Sequence, residues 1–443
     1  MRVLIAGTGS GCGKTTASLV VMAALREAGL SVAPYKAGPD YIDPGFHRAV
    51  CGVPSHNLDA FLMREDAMRY LLQSGADIAV IEGVMGFYDG LDARTLEGST
   101  WALAGATRTP VILVADASGG AASVAAQVHG FATLVRDSHI AGVLVNRVSG
   151  ERHYALVREA VAHYTGLPCV GYLKKDVRLD LKSRHLGLVP AQEVPDVAAR
   201  VAEAARDAAD TLDIPALLAI AQTAPALCVE GRDDPRSPQC LMRPERPPYA
   251  GFRLGVAMDE AFSFYYQANL DLLRAQGMEL VPFSPLRDGA LPEGLDALYI
   301  GGGFPEVFAR QLEENRPMRA GIRLSLERGM RCYAECGGLM YLSQEIDGRE
   351  MVGFLPARCR MTERLQRFGY VRVEDRTGLV FPAHEFHHAV AQPVGEAAYA
   401  YRVTKASDPA RTWRCGFERG GTLAAFAHLH FLSHPELIGR LFA

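Results

Sequence analysis

The sequence predicts two α/β domains joined by a proline-rich segment. Three observations carry this prediction: apolar runs alternate with helical patterns in the first half, prolines interrupt the chain near its middle, and the alternation then resumes. At roughly 100–200 residues per domain, a chain of 443 residues also favours two or three domains. The predicted boundaries are residues 1–228 for the first domain, 229–249 for the linker and 250–443 for the second domain.

Six apolar runs rich in β-branched residues are typical of strands in the first half. They lie at residues 3–6, 31–36, 78–82, 111–116, 140–146 and 169–173. Between the first two, Leu19, Met22 and Leu25 recur at helical spacing, and Gly29 ends the pattern. Strands that are apolar on both faces and alternate with helices form a parallel sheet covered on both sides.

The middle of the chain predicts an extended linker without a regular element. Residues 224–250 hold six prolines and several charges. After them, apolar runs at 253–257, 280–283, 297–300, 331–335 and 424–427 predict the strands of the second α/β domain.

Composition excludes several classes of protein. A net charge of −4 does not suit a protein that coats nucleic acid or an anionic membrane. No apolar run approaches the ~20 residues of a membrane span, and the first residues do not resemble a signal peptide. Nine cysteines without a CxxC pair argue against a disulfide framework. We therefore expect a soluble, cytoplasmic protein without nucleic-acid or membrane partners.

A glycine-rich loop, GTGSGCGKTT at residues 7–16, follows the first predicted strand and opens the first helix. Its glycines let backbone N–H groups point at phosphate oxygens, and Lys14 would reach the β- and γ-phosphates of ATP. The first glycine lies one residue farther from Gly13 than in the standard loop, as in the dethiobiotin synthetase and MinD-like branch. The alternative is a turn that only packs a helix on a strand. The predicted ATP-binding residues are Thr8, Gly9, Ser10, Gly11, Cys12, Gly13, Lys14, Thr15 and Thr16.

Magnesium chemistry would need acidic oxygens beside this loop. Thr15 would join Mg²⁺ through its hydroxyl, Glu82 ends a predicted strand, and Asp40 follows another. Since ligands of open α/β sheets bind at the carboxyl ends of the strands, these acids are placed to face the nucleotide. Each acid has the alternative of being a solvated loop residue, and Asp89 in GFYDG has the alternative of a turn residue.

A cysteine elbow is predicted in the second half. An apolar strand ends before Cys336, and two glycines and a helical pattern follow. A nucleophile on such a turn gains a lowered pKa and backbone N–H donors from the following helix, which supplies Gly337 as an oxyanion donor. The upstream GGGFPE loop supplies Gly303 as the second donor. Cys332, in mid-strand, is expected to be a buried apolar residue.

A cysteine nucleophile needs a base, and histidines form two clusters. They are His384, His387 and His388 in the first cluster and His428, His430 and His434 in the second. We favour His428, because it follows the apolar run 424–427 and stands at a strand end, whereas His434 is expected inside the last helix. Zinc binding is the alternative, although neither Cys nor carboxylate accompanies the clusters at ligand spacing.

The two sites together predict a reaction type. A cysteine elbow with oxyanion donors cleaves an amide through a thioester, and a phosphate loop with acids activates a group with ATP. Joined in one chain, they indicate that ammonia from glutamine amidates a phosphate-activated carboxylate. The residues alone do not identify the acceptor.

The motifs resemble those of the cobyrinic acid a,c-diamide synthase family. The resemblance covers nearly the whole chain except the linker. It rests on residues 7–16, KAGPDYIDP (36–44), HNLDAFLM (56–63), EGVMGFYDG (82–90), RHLGLVPA (184–191), DEAFSFYYQANLDLL (259–273), GGGFPE (301–306), ECGGL (335–339), HEFHH (384–388) and HLHF (428–431).

This resemblance implies an N-terminal P-loop domain like dethiobiotin synthetase and a C-terminal class I glutamine amidotransferase domain of the triad type. ATP, with Mg²⁺, would phosphorylate the c- and then the a-acetate carboxylate of a corrinoid, and ammonia would displace phosphate. The resemblance implies that Cys336 is the nucleophile and that His428 activates it. It also implies that Tyr41, Asp43 and Asp89 contact the acceptor and the acyl phosphate, and that Asn146 recognises the adenine ring. Where many class I glutaminases place a Glu two residues after the His, this chain has His430.

Several alternatives stay open at this point. The acceptor is cobyrinic acid in the reading we favour, and hydrogenobyrinic acid or Ni-sirohydrochlorin in its close rivals. A MinD/ParA-like ATPase switch fits the loop but not the cysteine elbow. A bare glutaminase or peptidase would not need Lys14 and Thr15. A homodimer is an open alternative to a monomer.

Overall fold

The computed structural model describes residues 1–176, 179, 183–184, 187–228, 234–395 and 398–442. The chain divides into two compact units, Met1–Glu230 and Gly231–Ala443. The first residues of the predicted linker, 229–233, lie outside the described residues, as do two residues of the RHLGLVPA motif. The predicted domain boundaries therefore stay a prediction, whereas the α/β class of both halves is confirmed.

The first unit alternates strands and helices. Its strands are β1 Arg2–Gly7, β2 Val32–Ala37, β3 His56–Leu58, β4 Ile78–Glu82, β5 Val111–Asp116, β6 Ile140–Val148, β7 Cys169–Lys174, β8 Ser183–Arg184 and β9 Gly187–Leu188. Its helices are α1 Lys14–Glu27, α2 Asp43–Cys51, α3 Glu65–Leu71, α4 Thr100–Thr107, α5 Ala122–Thr133, α6 Glu151–Thr165, α7 Val197–Asp207 and α8 Ile214–Gln222, with a 3₁₀ turn at Ala191–Glu193.

A seven-stranded parallel sheet carries this unit, in the order β3-β2-β4-β1-β5-β6-β7. Strands β1, β2 and β4 are buried at every residue, as the apolar runs predicted. Because these three strands are neighbours and parallel, their carboxyl ends lie at one edge of the sheet. That edge brings the glycine-rich loop beside Glu82 and the segment after Ala37. Strand β3 is only three residues long and was not predicted.

The second unit begins its described part with a short helix and then builds a larger sheet. Its helices are α9 Pro238–Met242, α10 Gln267–Ala275, α11 Ala309–Glu314, α12 Arg316–Glu327, α13 Gly337–Leu342 and α14 Glu436–Phe442. Its strands are β10 Arg253–Ala257, β11 Glu279–Phe283, β12 Ala297–Ile300, β13 Arg331–Glu335, β14 Glu345–Ile346, β15 Arg349–Glu350, β16 Ala357–Met361, β17 Arg367–Asp375, β18 Val380–His387, β19 Ala389–Pro393, β20 Tyr399–Lys405, β21 Asp408–Arg419, β22 Thr422–Ala425 and β23 His428–Leu429.

Ten strands form the main sheet of this unit, in the order β11-β10-β12-β13-β22-β21-β20-β17-β18-β23. The pairs from β11 to β22 are parallel, and the rest are antiparallel. A smaller sheet has the order β15-β14-β16-β19. The sequence analysis predicted the parallel strands but not the antiparallel ones between residues 357 and 419.

Three local expectations are corrected. The proline-rich segment holds the helix α9, because Pro238 occupies its first turn, where no backbone N–H is needed, and the Ser237 hydroxyl caps the Cys240 N–H at 3.3 Å. The last strand run ends at Ala425, and His428 opens a separate strand. His434 lies before the last helix, which begins at Glu436, and not inside it.

Within the described parts of the chain, no helix combines the length and apolar character that crossing a membrane requires.

Candidate active sites

Two positions of the glycine-rich loop, Gly11 and Gly13, require glycine. Gly11 and Gly13 have φ of 78° and 90°, in the left-handed region. A Cβ atom on Gly13 would lie 2.1 Å from Asn146 Nδ2, so no larger residue fits without displacing that side chain. The Lys14 ammonium curls over the loop and donates to the Gly9 carbonyl at 2.9 Å. The loop therefore has the backbone curl and the cation that phosphate binding requires.

A buried polar cluster lies beneath this loop. The Thr15 hydroxyl donates to Glu82 Oε1 at 2.7 Å, and Lys36 Nζ lies 2.9 Å from the same oxygen. Lys36 Nζ is also 2.6 Å from Asp43 Oδ2, and His47 Nε2 is 2.7 Å from Glu82 Oε2. Burial by itself would lower the pKa of Lys36, but the Asp43 and Glu82 carboxylates outweigh it and raise that pKa. The lysine charge is thus held in place by two carboxylates.

The predicted metal residues lie close to one another but not all in contact. Thr15 Oγ1 is 3.5 Å from Asp43 Oδ2, so Asp43, which the resemblance assigns to the acceptor, lies beside Thr15. Asp40 Oδ1 instead accepts the N–H groups of Ile42 at 2.8 Å and of Asp43 at 3.1 Å. Asp40 therefore shapes the start of α2, and its other carboxylate oxygen is the one left to face a ligand.

This oxygen-rich cluster fits a hard cation. The hydroxyl of Thr15 and the carboxylate of Glu82 are the donor types that Mg²⁺ selects, and the Asp40 carboxylate lies on the segment that follows the neighbouring strand β2. Among the described residues, no group of three His, Cys, Asp or Glu side chains converges as a ligand set. A magnesium ion here would therefore complete its coordination with phosphate oxygens and water, as is usual for this ion.

Three other residues predicted for this unit are Tyr41, Asp89 and Asn146. Tyr41 lies half-buried in the turn before α2, on the same segment as Asp40. Asp89 Oδ2 accepts the Gly86 N–H at 2.8 Å, a bond that fits the alternative role of Asp89 as a turn residue. Asn146 Nδ2 donates to the Cys12 carbonyl at 2.9 Å, so this side chain supports the phosphate loop. Its role at the adenine edge stays a prediction.

In the second unit, Cys336 sits on a strained turn at the end of β13. It has φ of 48° and ψ of −100°, and its N–H donates to the Ala425 carbonyl at 2.7 Å. A Cβ on Gly338 would lie 2.1 Å from the Ile300 carbonyl oxygen, which explains the small residues after the cysteine. This is the geometry of a nucleophile elbow.

The thiol differs from expectation in its acidity. Burial first and the Glu306 carboxylate second raise the pKa of Cys336, and only the Gly337 N–H acts in the lowering direction. The lowering expected from the following helix is thus confined to the N–H of its first residue, Gly337, and burial outweighs it, so the net shift of the Cys336 pKa is upward. A thiol of this kind needs a base to take its proton.

The two predicted oxyanion donors lie together. A Cβ on Gly337 would be 3.1 Å from the Gly303 backbone nitrogen, and one on Gly303 would be 2.1 Å from the Ala261 carbonyl oxygen. Gly303 has φ of 156°, which suits this close approach. The Gly303 backbone nitrogen therefore lies close to Gly337, the residue after Cys336, and the Pro305 ring, 2.9 Å from the same Cβ position, closes this space from one side.

Of the histidine candidates, His428 lies beside the loop that carries Gly303 and beside Glu335, the residue before Cys336. A Cβ on Gly302 would be 2.7 Å from His428 Cε1, so the imidazole packs against the GGGFPE loop. His428 Nδ1 is 3.5 Å from Glu335 Oε2. His434 Nδ1 instead pairs with Glu436 Oε1 at 3.2 Å near the surface.

Two histidines of the first cluster make different contacts in the second unit. His387 Nδ1 bonds the Ala389 carbonyl at 2.8 Å, and its ring stacks on Phe426 at 3.9 Å. His384 lies directly across from His428 in the β18–β23 pair. Burial and the neighbouring His428 lower the pKa of His384 to about 3, so it stays neutral.

Three polar residues of these sites were not predicted: Lys36, His47 and Glu335. Lys36 lies one residue before the end of β2 and Glu335 ends β13. A charged residue near the end of a largely buried strand is the signal that a sequence can offer. His47 lies inside α2, where nothing in the local pattern marks it. Its bond to Glu82 depends on how α2 packs over the sheet.

Comparisons with known proteins agree with this two-part organisation. Residues 3–189 match the family described as CobQ/CobB/MinD/ParA nucleotide binding domain, and residues 253–436 match the CobB/CobQ-like glutamine amidotransferase domain. The cobyrinate a,c-diamide synthase of Listeria innocua is 42% identical over 457 residues, covering 100% of this chain and 98% of the relative.

More distant relatives agree. The cobyrinate a,c-diamide synthase of Salmonella typhimurium is 39% identical, with 98% of this chain and 96% of the relative covered. A solved glutamine amidotransferase structure is 22% identical over 42% of this chain and 96% of its own, with a TM-score of 0.33 that is too low for a fold argument. On the strength of these full-length matches, the chain belongs to the cobyrinate a,c-diamide synthase family.

Proposed function

We propose that this chain amidates the a- and c-acetate carboxylates of cobyrinic acid, using ATP and glutamine, as a step of cobalamin biosynthesis. One observation carries the proposal: relatives of that name match the chain from end to end at about 40% identity, across both the nucleotide-binding and the amidotransferase parts. The geometry of the two candidate sites supports the chemistry in each part.

Carboxylate activation belongs to the first unit. An oxygen of the acceptor carboxylate attacks the γ-phosphorus of ATP, the bond to the ADP oxygen breaks, and an acyl phosphate forms. The loop from Thr8 to Thr16 binds the phosphates, with Lys14 reaching the transferred group. Thr15, Asp40 and Glu82 would hold Mg²⁺, which would supply neutralisation of phosphate charge. Tyr41, Asp43 and Asp89 would contact the acceptor.

Ammonia release belongs to the second unit. The Cys336 sulfur attacks the side-chain amide carbon of glutamine while His428 takes the thiol proton. The oxyanion is bound by backbone N–H groups of Gly303 and Gly337. His428 returns its proton to the leaving nitrogen, so ammonia departs and water then hydrolyses the thioester to glutamate. Ammonia attacks the acyl phosphate carbon, phosphate leaves, and an amide results.

A pair of variants tests this division. Cys336→Ser should abolish amidation with glutamine and keep amidation with high ammonia, because only nitrogen supply is lost. Cys228→Ser, an exposed cysteine, is the matched control and should behave as wild type. Loss of both activities by Cys336→Ser with the fold intact would refute a pure glutaminase role for Cys336.

Asp40→Asn tests the other site. It should remove amidation with either nitrogen source, because it disturbs carboxylate activation. Glutamine hydrolysis measured by glutamate release reports on the second unit separately. Wild-type turnover in this variant would exclude Asp40 from the activation site.

A further inference from the structure

Glu335 is a buried carboxylate next to the nucleophile. It is the last residue of β13 and only 1% exposed. Its Oε1 accepts the Tyr333 hydroxyl at 2.8 Å and the Leu429 N–H at 3.0 Å, and its Oε2 accepts the Tyr299 hydroxyl at 3.0 Å. An ionised carboxylate can only accept hydrogen bonds, so a buried one needs several donors. Glu335 has these three.

The same carboxylate faces the candidate base. Glu335 Oε2 is 3.5 Å from His428 Nδ1, and its bond to Leu429 N–H fixes the residue that follows His428. On the far side, Asn269 Nδ2 donates to the Leu429 carbonyl at 2.7 Å, and Asn269 Oδ1 accepts the Phe431 N–H at 2.8 Å. The segment that carries His428 is therefore held from both sides.

The residue expected from other class I glutaminases does not offer this contact. Two positions after His428 the chain has His430, whose ring packs on Tyr266 with centroids 5.1 Å apart. A third member of the triad must then come from elsewhere in the fold. In the part of the chain that the structure describes, Glu335 supplies a carboxylate oxygen 3.5 Å from His428 Nδ1.

We propose that Glu335 is the positioning residue of the glutaminase site: it accepts the Nδ1–H of His428 and so leaves the Nε2 lone pair for the Cys336 proton. This inference rests on the proposed function of Cys336 and His428. The carboxylate orients the ring and stabilises the imidazolium, while it neither contacts glutamine nor gains a proton. The nucleophile and its supporting carboxylate are thus neighbours in the sequence.

The proton balance follows from this arrangement. As the Cys336 sulfur forms its bond to the amide carbon, the thiol proton passes to His428 Nε2, and the carbonyl electron pair moves to the oxygen. When that pair returns, the carbon–nitrogen bond breaks and the proton goes from Nε2 to the leaving nitrogen. Throughout, Nδ1–H stays hydrogen-bonded to Glu335.

Glu335→Gln tests the charge while nearly preserving the shape. The Leu429 N–H can only donate, so the amide oxygen of the new glutamine must replace Oε1. The amide NH₂ then replaces Oε2 and points at His428 Nδ1, where it stabilises the tautomer with the proton on Nε2. That tautomer cannot accept the thiol proton, and the analogous change in a serine triad costs about 10⁴-fold in kcat.

We therefore expect Glu335→Gln to lower the glutamine-dependent kcat by about 10²–10⁴-fold, with KM for glutamine little changed. Ammonia-dependent amidation, which uses the first unit, should stay at the wild-type rate, and an unchanged circular dichroism spectrum and Tm would show that the second unit is folded. Glu335→Asp keeps the charge and should recover part of the loss. Glutamine turnover within threefold of wild type in Glu335→Gln would overturn the proposal.

The pH profile separates positioning from a structural role. Without a competent base, thiolate must form by itself, so the variant rate should rise about tenfold per pH unit between pH 7 and 9 while the wild-type rate is flat. The titratable groups around Glu335 and His428 are Tyr299, Tyr333, Tyr265, Tyr401 and His384, and those around the Cys336 thiol are Glu306, Glu385 and Glu335 itself. Burial raises the pKa of Tyr299 and Tyr333 well above their usual range, so both keep their protons over these pH values. Parallel pH profiles of variant and wild type would contradict the proposal.

A measurement on the wild-type side chain keeps the proposal testable if Glu335→Gln fails to fold. Nitrogen-15 NMR of histidine-labelled protein, with His428 identified by its loss in His428→Gln, reports which ring nitrogen carries the proton. The proposal predicts Nδ1–H at neutral pH, and an Nε2–H tautomer would overturn it. Failure of wild-type protein to amidate any corrinoid would instead refute the proposed function, because glutamate release and the tautomer are measured without an acceptor.

Discussion

Substituting Gly302 by alanine should misplace the base of the glutaminase site. A Cβ at this position would lie 2.7 Å from His428 Cε1 and 3.4 Å from its Nε2. Ordinary contact begins near 3.4 Å, so the imidazole must retreat by about 0.7 Å from the loop. The ring cannot move without disturbing the approach of Nδ1 to Glu335, 3.5 Å away.

The magnitude follows from this displacement. A shift of about 1 Å in a catalytic group costs about 100-fold in rate, so a retreat of 0.7 Å should lower the glutamine-dependent kcat by roughly 10- to 100-fold. Amidation with ammonia should be unchanged, since the nucleotide site lies in the other unit. Steady-state kinetics with each nitrogen source, on the same preparation, measures both effects.

Gly321→Ala is the matched control in the same unit. A Cβ there meets nothing within 4 Å, and the site lies inside α12, where alanine favours the helix. The control should have wild-type kinetics and equal or greater stability. Unchanged glutamine turnover in Gly302→Ala would refute the reasoning, because a rigid contact to His428 could not then be part of the site.

Three further outcomes are expected. Lys14→Met should abolish ATP-dependent amidation with either nitrogen source but leave glutamate release intact; measurable ADP formation would contradict its assignment to the phosphates. Gly13→Ala should weaken nucleotide binding and lower the free energy of unfolding by about 1–3 kcal/mol, because φ of 90° is strained and Asn146 must move. Gly130→Ala, at an open position inside a helix, is the control. Equal nucleotide affinity of the two variants would argue against a role of Gly13 in phosphate binding. The pKa of His384 falls from 6.5 to about 3 on folding, so its contribution to stability is present above pH 6.5 and lost as pH falls toward 3. His384→Gln should therefore reduce the acid-induced loss between pH 7 and pH 5 by about 2 kcal/mol in denaturant titrations, whereas identical losses would show that the histidine is not buried neutral.

The parallel strands were the predictable part of the fold. The run that forms β4 is apolar up to its last residue, Glu82, because both faces of the sheet are covered. This signal can be read without knowing which strands pair. The antiparallel strands of the second unit gave no such signal. Strand β17 alternates buried and exposed residues and carries Arg and Glu on its open face, so its pairing with β18 and β20 is set by tertiary contacts.

The candidate sites were predictable where chemistry and backbone shape coincide. Glycines before Lys14 and after Cys336 mark turns that only small residues allow, and both turns are found. The residues that support these sites were harder to predict from the sequence, since His47 reaches Glu82 only through the packing of α2. Glu335 was not predicted, although it lies next to Cys336 in the sequence. Its partner, His428, lies 93 positions further along the chain, so only the fold reveals their contact.

The central claim is tested most directly by identifying the amidated acceptor. Cobyrinic acid, hydrogenobyrinic acid and Ni-sirohydrochlorin are offered in parallel with ATP, Mg²⁺ and glutamine, and mass spectrometry of the tetrapyrrole is combined with measurement of ADP. Cobyrinic acid should gain two amides, with one ADP released for each. ATP turnover without amidation of cobyrinic acid, or amidation of another acceptor in its place, would contradict it.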